Sequence, residues 1–440
     1  MHKNTFSIQE VLKNLKISAL NKMQEDTLAA FNKTNDLVLL SPTGSGKTLG
    51  YLLPILHAIN TQKSGVQALI LAPSRELALQ IEQVFRSMGT GYKVNCCYGG
   101  HLMKTEKNNF QQLPTVLIGT PGRIADHINR KNFDPSSIHL LVLDEFDKSL
   151  ELGYQQEMTY IISQLKEIGK RILTSATKMT EIPVFTGITS PIELNYLSDI
   201  SPDSLTIKAV RSVGKDKLDA LYRLICTIGN EASLVFCNHR EAVDRISDLL
   251  WQKNLAHDVF HGGMEQEERE RALIKFRNGS HRLLITTDLA SRGLDIPEIR
   301  NIIHYQLPGD EKIWTHRNGR TARMKANGTA YLLLGQDEFT PPFINNEPEF
   351  TELPAKVELP EPPAWVTLYF SAGKKDKINK TDIVGFLIQK GKLQKDDLGL
   401  IEVLDFVSYA AVKSEKVNSV LDLTKNETIK KKKIKIAISK

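Results

Sequence analysis

Cysteine is scarce. The 440 residues hold four, Cys96, Cys97, Cys226 and Cys237, and no two form a CxxC pair. That spacing supports neither a disulfide framework nor a zinc knuckle, and the thiols read as buried groups in a reducing compartment. Long apolar runs are also missing. None approaches the roughly 20 residues that a membrane helix requires. The opening Met1-His2-Lys3-Asn4-Thr5-Phe6 has no apolar stretch and no small-residue cleavage site, so the expectation is a cytoplasmic protein with no membrane partner. Arginine is absent from residues 364–440, which carry 16 lysines against nine acidic groups. The rest of the chain is nearly balanced, with 41 basic and 42 acidic residues, so the net charge of +6 resides in the tail. A localised basic surface is the electrostatic footprint of a nucleic-acid binder. A solvated lysine-rich end has the same composition.

What is present has a rhythm. From about Asp36 to Leu194, short apolar runs alternate with helical patterns. The strand candidates are Leu37–Leu40, Ala68–Ala72, Val94–Tyr98, Thr115–Gly119, Leu140–Leu143 and Arg171–Thr174. Such alternation means a parallel sheet wrapped by helices. The pattern restarts near Lys217 with Ser233–Cys237, Ala256–His261, Arg282–Thr286, Asn301–Tyr305 and Gly328–Leu334. The polar stretch Ser198–Ser204 reads as a hinge between the two units. Residues 341–363 hold seven of the 18 prolines, a density that reads as a semi-rigid spacer. Beyond it, a β-α-β-β-α-β order is the ferredoxin-like arrangement of RNA-recognition modules. Its elements are expected over Val366–Ser371, Lys380–Lys390, Gly399–Leu404, Phe406–Val412, Ser414–Val420 and Lys433–Ser439. The expected domains are therefore 1–200, 206–340 and 364–440, joined by a 341–363 linker.

The first strand runs into Ser41-Pro42-Thr43-Gly44-Ser45-Gly46-Lys47-Thr48. A turn of this kind lets backbone N–H groups approach phosphate oxygens, with Thr43, Gly44, Ser45 and Gly46 forming the cradle. Lys47 is placed to reach the β- and γ-phosphates and Thr48 to ligate Mg²⁺. The apolar run ending at Leu143 leads into Asp144-Glu145-Phe146-Asp147. There the first acid suits a metal and the second suits a general base for water. Together the two turns describe hydrolysis of a nucleoside triphosphate. Arg320 and Arg323 lie three apart in His316–Arg323, a spacing that points both the same way if the segment is helical. An inserted arginine accelerates phosphoryl transfer about 10³–10⁵-fold. A surface ion-pair cluster is the plainer alternative for that segment.

The motifs fall in the order of a known family. Pro73-Ser74-Arg75-Glu76-Leu77-Ala78, Gly99-Gly100, Thr120-Pro121-Gly122-Arg123, Asp144–Asp147, Ser175-Ala176-Thr177, Val235-Phe236-Cys237, Gln266 with Arg269, Thr287-Asp288 through Asp295, and His316–Arg323 follow one another. In this the chain resembles a DEAD-box RNA helicase across residues 1–335. The resemblance implies two tandem RecA-like domains and ATP with Mg²⁺. It implies adenine recognition by Gln24 and a ribose contact at Asp295. Catalysis falls to Lys47, Glu145, Arg320 and Arg323, the metal to Thr48 and Asp144, and coupling to Asp147, Ser175, Thr177 and His316. The RNA backbone is assigned to Arg75, Gly100, Thr120 and Arg123 on the first domain, with Gln266, Arg269 and Thr287 on the second. Such contacts position a strand without reading its sequence.

Some residues depart from the family pattern. Ile17 stands where an aromatic ring stacks on adenine, Phe146 replaces the alanine of DEAD, His239 replaces a threonine and Ala322 replaces a glycine. Residues 366–435 are similar to the C-terminal RNA-binding domain of bacterial members that act on a 23S ribosomal RNA hairpin, which implies a role in large-subunit assembly for a monomeric enzyme. Because Phe406-Val407-Ser408-Tyr409-Ala410 lacks the paired ring positions of ordinary modules, lysines are expected to carry RNA contact there: Lys374, Lys375, Lys377, Lys432 and Lys433. The competing readings are a DNA helicase and an ATP-gated RNA clamp or chaperone without productive unwinding.

Overall fold

The computed structural model describes residues 7–100, 103–179, 181–197, 205–214, 216–291, 299–321, 328–344 and 347–439. The chain separates after Pro202 into two compact units. The expected hinge Ser198–Ser204 lies outside the described residues.

The first unit is built on seven parallel strands: β1 (Asp36–Leu40), β2 (Ala68–Leu71), β3 (Val94–Cys97), β4 (Val116–Gly119), β5 (Leu140–Leu143), β6 (Lys170–Ser175) and β7 (Ile192–Asn195). They lie in the order β3-β4-β2-β5-β6-β1-β7. Helices cover both faces, so the central strands are buried along their whole length and read as unbroken apolar runs. Alternate residues feed two cores. Ile70, Val142 and Ile172 pack with Leu52 on one side, whereas Leu69, Leu117 and Leu141 pack with Phe146 on the other.

In the second unit the strands are β8 (Leu205–Arg211), β9 (Ser233–Phe236), β10 (Asp258–Phe260), β11 (Leu283–Thr286), β12 (Asn301–His304), β13 (Gly328–Leu334) and β14 (Glu349–Phe350). Their order, β10-β11-β9-β12-β13-β8-β14, is the first permutation advanced by seven. Three strands escape the sequence pattern: β7, β8 and β14. All are exposed along at least one face, so none is a continuous apolar run.

Strand β14 lies within the semi-rigid spacer expected over 341–363. It pairs with β8, and the Arg211 guanidinium lies 5.6 Å from the Phe350 ring centre. Arg223 donates to the carbonyls of Leu353 (2.8 Å) and Pro354 (2.6 Å), and Asn230 donates to that of Glu361 (2.6 Å). Proline lacks an N–H but keeps its acceptor. A proline-rich strap can therefore be held from one side by arginine and asparagine donors.

The tail forms an antiparallel sheet, β16-β17-β15-β20, of β15 (Trp365–Phe370), β16 (Leu398–Val403), β17 (Ser408–Lys413) and β20 (Ile436–Ile438). With helices Lys380–Gln389 and Val417–Thr424 this is the expected ferredoxin-like order. The strand expected from Phe406 begins two residues later. The last strand is shortened because a hairpin of β18 (Thr428–Ile429) and β19 (Lys432–Lys433) precedes it. Lys430 and Lys431 turn that hairpin with φ of 50° and 65°.

Candidate functional site

The residues singled out from sequence gather at the carboxyl ends of the strands, where parallel α/β sheets bind ligands. In the first unit they divide by sheet position. Strands β1, β5 and β6 are neighbours, and they lead into the Ser41–Thr48 turn, Asp144–Asp147 and Ser175–Thr177 respectively. Strands β3, β4 and β2 form the other half and lead into Gly100, Thr120 and Arg75.

The phosphate turn is shaped by its glycines. Gly44 and Gly46 have φ of 86° and 88°, and a Cβ on Gly46 would come within 2.6 Å of Gln24 Nε2. Helix Lys47–Ala58 starts immediately after, and Lys47 is buried with its ammonium donating to the carbonyls of Ser41 (2.5 Å) and Pro42 (3.2 Å). The segment holding Gln24 docks on the same turn. Asn21 Nδ2 donates to the Ser45 carbonyl (2.9 Å) and Gln24 Nε2 to that of Gly46 (3.2 Å), while Gln24 Oε1 caps its own helix through Asn21 N–H. Both polar atoms of Gln24 are thus engaged within the protein. Ile17, 38 % exposed, presents no ring.

Asp144 is held from three sides. Its Oδ1 accepts from Thr174 Oγ1 (2.5 Å) and from the Glu145 N–H (3.1 Å), and its Oδ2 accepts from Tyr51 Oη (2.9 Å). Burial pushes the Asp144 carboxyl above its usual range, while Thr174, Lys47 and Tyr51 pull it back. Glu145 occupies a left-handed conformation, φ 44° and ψ 53°, of a kind that costs about 1–3 kcal/mol and concentrates at functional sites. Asp147 Oδ2 accepts from Thr177 Oγ1 at 2.7 Å, and Ser175 Oγ bonds both the carbonyl (2.6 Å) and the N–H (3.1 Å) of Thr177. The acidic turn and the Ser175–Thr177 turn are therefore one hydrogen-bonded assembly. Phe146 also has a physical account. It is fully buried beneath the acids and packs on Phe185, ring centres 6.1 Å apart. It is a core residue of the short helix Phe146–Glu151, which also carries Asp147.

In the other half of the sheet, Arg75 begins the helix Arg75–Ser87 and lies over Gly100. A Cβ at Gly100, φ 103°, would meet Arg75 Nη1 at 2.7 Å. Thr120 precedes the helix Pro121–Asn129, which carries Arg123. Arg123 Nε donates to Glu106 Oε2 (2.6 Å), and His127 Nε2 bonds the same oxygen (2.7 Å). Asn132 Nδ2 donates to His127 Nδ1 (2.9 Å), so the histidine proton sits on Nε2 and points at Glu106. Burial opposes ionisation of Glu106, but His127 and Arg123 hold its carboxyl below the usual range. Tyr51, Thr174, Glu106 and His127 carry no motif signal. Only the fold brings them to the residues they orient.

The second unit assembles Gln266 and Arg269 after β10, Thr287 after β11 and His316, Arg317 and Arg320 after β12. Gln266 Oε1 accepts from Arg269 Nη2 at 2.6 Å. Arg317, fully buried, forms a brace: Nε donates to Asp288 Oδ1 (2.6 Å), Nη2 to Asn238 Oδ1 (2.7 Å) and Nη1 to the Gln306 carbonyl (2.8 Å). The helix Glu311–Asn318 ends at Gly319. Arg320 therefore sits in the turn beyond it, buried. Asp295, Ala322 and Arg323 lie outside the described residues.

The comparisons with known proteins agree with this geometry. The DEAD/DEAH box helicase model matches residues 21–182, the helicase conserved C-terminal domain matches 216–325 and the DbpA RNA binding domain matches 367–438. An eIF4A helicase of Mycosarcoma maydis is 34 % identical, the match covering 70 % of this chain and 76 % of that protein. The chain is a DEAD-box ATP-dependent RNA helicase. The helicase is also 29 % identical to DbpA of Bacillus subtilis over 98 % of its own length and 96 % of the relative's. Among solved structures, Saccharomyces cerevisiae Dbp5 bound to RNA and ADP BeF3 aligns with a TM-score of 0.67 at 26 % identity, covering 76 % of the helicase and 89 % of Dbp5. Among the described residues no helix is long and apolar enough to cross a membrane. Within the tail, Lys432 pairs with Asp376, and Lys430 pairs with Asp382 at 2.7 Å. No ion pair among the described residues engages Lys374, Lys375, Lys377 or Lys433.

Proposed function

We propose that the helicase is an RNA-stimulated ATPase that opens short duplexes locally, and that its tail directs it to a structured 23S ribosomal RNA hairpin during large-subunit assembly in the cytoplasm. It acts as a monomer in this reading. The observation that carries the targeting is a tail that matches the DbpA RNA binding domain and has its own ferredoxin-like fold with several unpaired lysines.

In this reading the residue roles are those that the family motifs imply. The Thr43–Gly46 N–H groups and Lys47 hold the triphosphate, and the left-handed turn at Glu145 aims its carboxylate as the base that takes the proton from water. Thr48 and Asp144 supply oxygen donors, which suit Mg²⁺. A cation there also relieves the burial that disfavours the bare Asp144 charge. When bound, the ion supplies charge stabilisation to the phosphates. Arg320, with Arg323, supplies the charge that stabilises the transferring phosphoryl group, and Asp295 holds the ribose. Asp147, Ser175, Thr177 and His316 transmit nucleotide state. Arg75, Gly100, Thr120 and Arg123 grip the RNA backbone with Gln266, Arg269 and Thr287. The grip is sequence-independent, so the address must come from the tail.

The test compares ATPase stimulation by a hairpin-bearing 23S fragment with that by random RNA of equal length. A wild-type preference for the hairpin is expected, and it should fall at least tenfold when Lys374, Lys375 and Lys433 are changed to glutamate. Removing lysine–phosphate contacts should also flatten the dependence of log K on log salt. Equal stimulation by both RNAs in the wild type would refute the targeting.

A further inference from the structure

Lys47, Asp144, Glu145 and Asp147 are buried charges in the nucleotide half of the first sheet. Glu106 is a buried charge in the other half. It lies on the helix Met103–Asn109 and is 4 % exposed. A carboxylate taken out of water is costly unless its oxygens are bonded. Both oxygens of Glu106 are used. Oε2 accepts from Arg123 Nε (2.6 Å) and His127 Nε2 (2.7 Å), and Oε1 accepts from the Tyr98 N–H (3.3 Å). Tyr98 follows β3 and immediately precedes Gly99-Gly100, whereas Arg123 lies on the helix that follows β4. One carboxylate therefore ties the Gly100 turn to the helix that carries Arg123.

The imidazole on this carboxylate is itself held. His127 is fully buried, and Asn132 bonds its Nδ1. Phe110 packs on the ring, centres 5.0 Å apart, and Phe133 stacks on Phe110 at 5.2 Å. Cys97 lies beside the pair: its Sγ, a Glu106 oxygen and a His127 nitrogen are all within 4.8 Å of one another. That trio has metal-ligand chemistry. The cation on the carboxylate, however, is the Arg123 guanidinium, and burial pushes the Cys97 thiol up, so it stays protonated.

We propose that Glu106 is a positioning residue for RNA binding. Through Oε2 it sets the direction of the Arg123 guanidinium, and through Oε1 it sets the Gly100 turn, so both backbone contacts face a strand in a single geometry. His127 and Asn132 act through Glu106. An arginine bonded at Nε does not swing freely about its long side chain, and ordering it in advance removes a cost that RNA would otherwise meet on binding. The proposal rests on the RNA-gripping role given to Arg123.

RNA-stimulated ATPase of the full-length protein tests it. Glu106→Gln keeps the shape and loses the charge and one acceptor oxygen. The RNA concentration for half-maximal stimulation should rise at least fivefold. Turnover at saturating RNA, and affinity for a fluorescent ATP analogue without RNA, should stay within twofold. In an Arg123→Ala background, Glu106→Gln should add less than twofold. Asn132→Ala, at a half-buried position, removes the bond to His127. It should raise half-saturation two- to fourfold, and again only while Arg123 is present. An unchanged half-saturation in Glu106→Gln, or the same loss with Arg123 absent, overturns the proposal. If Glu106→Gln does not fold, Asn132→Ala decides by the same two criteria. An Arg123→Ala protein that binds RNA as wild type does removes the role of Arg123 and the positioning with it. A weakened Arg123→Ala beside a normal Glu106→Gln removes the positioning alone.

Discussion

The two seven-stranded sheets have the same strand order, yet the turns that follow equivalent strands have opposite fates. After β1, Lys47 donates to the carbonyls of Ser41 and Pro42, and its charge pulls the Asp144 carboxyl down. After β8 the corresponding lysine is Lys217. It donates to the Leu333 carbonyl (3.0 Å) and is neutralised by Glu338 at 2.6 Å, with its ammonium 5.4 Å from the Tyr305 ring centre. After β5 come Asp144 and Glu145; after the equivalent β12 come Tyr305 and Gln306, the buried His304 being the last residue of that strand. The first copy ends these strands on a glycine-rich turn and two acids, whereas the second ends them on the Lys217–Glu338 ion pair and Tyr305. What the second copy presents instead is arginine, on the segment after β12.

This contrast can be broken or sharpened by substitution. The largest expected effect is in the first copy. Glu145→Gln removes the proposed base and should lower RNA-stimulated ATPase by about 10²–10⁴-fold, while circular dichroism and melting stay near wild type. An unchanged turnover would show that the first copy is not the hydrolytic one in the way argued above.

Next comes Phe146→Ala, which restores the family's alanine. Because Phe146 is fully buried against Phe185, the cavity should destabilise the first unit by about 3–5 kcal/mol. Denaturant melts would show it, and the folded fraction should keep its ATPase. A neutral outcome would mean the site beneath the acids collapses freely.

In the second copy, Glu338→Gln removes the charge partner of Lys217. Since Glu338 is itself 41 % exposed, the loss should be only about 1 kcal/mol. Nucleotide titration should still find one site per chain. A second bound nucleotide would mean that Glu338 alone keeps the copy closed.

A further effect is a pH slope. Burial, with Arg317 beside it, lowers the His304 pKa to about 3. The unfolded chain titrates near 6.5, so it binds a proton that the folded unit does not. Stability tied to this group is fully present above pH 6.5 and is lost as pH falls from 6.5 toward 3. His304→Asn should reduce the difference between melting midpoints at pH 7 and pH 5, measured by scanning fluorimetry.

Much of the architecture was legible because buried parallel strands announce themselves. Leu140–Leu143 and Gly328–Leu334 were found to the residue, and the Gly44–Thr48 turn and the acidic quartet sit where their strands end. The misses share a cause. Edge strands such as β7 and β14 have one face in water and carry no unbroken apolar run. Prolines make residues 341–363 read as a semi-rigid spacer and hide that the Leu353 and Pro354 carbonyls are held by Arg223. Arg320 lies outside the helix because the helix stops at Gly319, a residue type that commonly ends helices.

The sequence alone determined the local chemistry: which turns can cradle phosphate, which carboxylates follow a buried strand, and where the lysines accumulate. Those properties depend on residues within one turn of each other. Tertiary structure decided what stands beside what. Right-handed crossovers interleave distant strands, so Tyr51 reaches Asp144 across 93 residues of chain and Thr367 reaches Ser280 across 87. No local pattern encodes those meetings. They exist because burying two sheet faces and one tail face leaves a single arrangement in which the polar groups at the seams find partners.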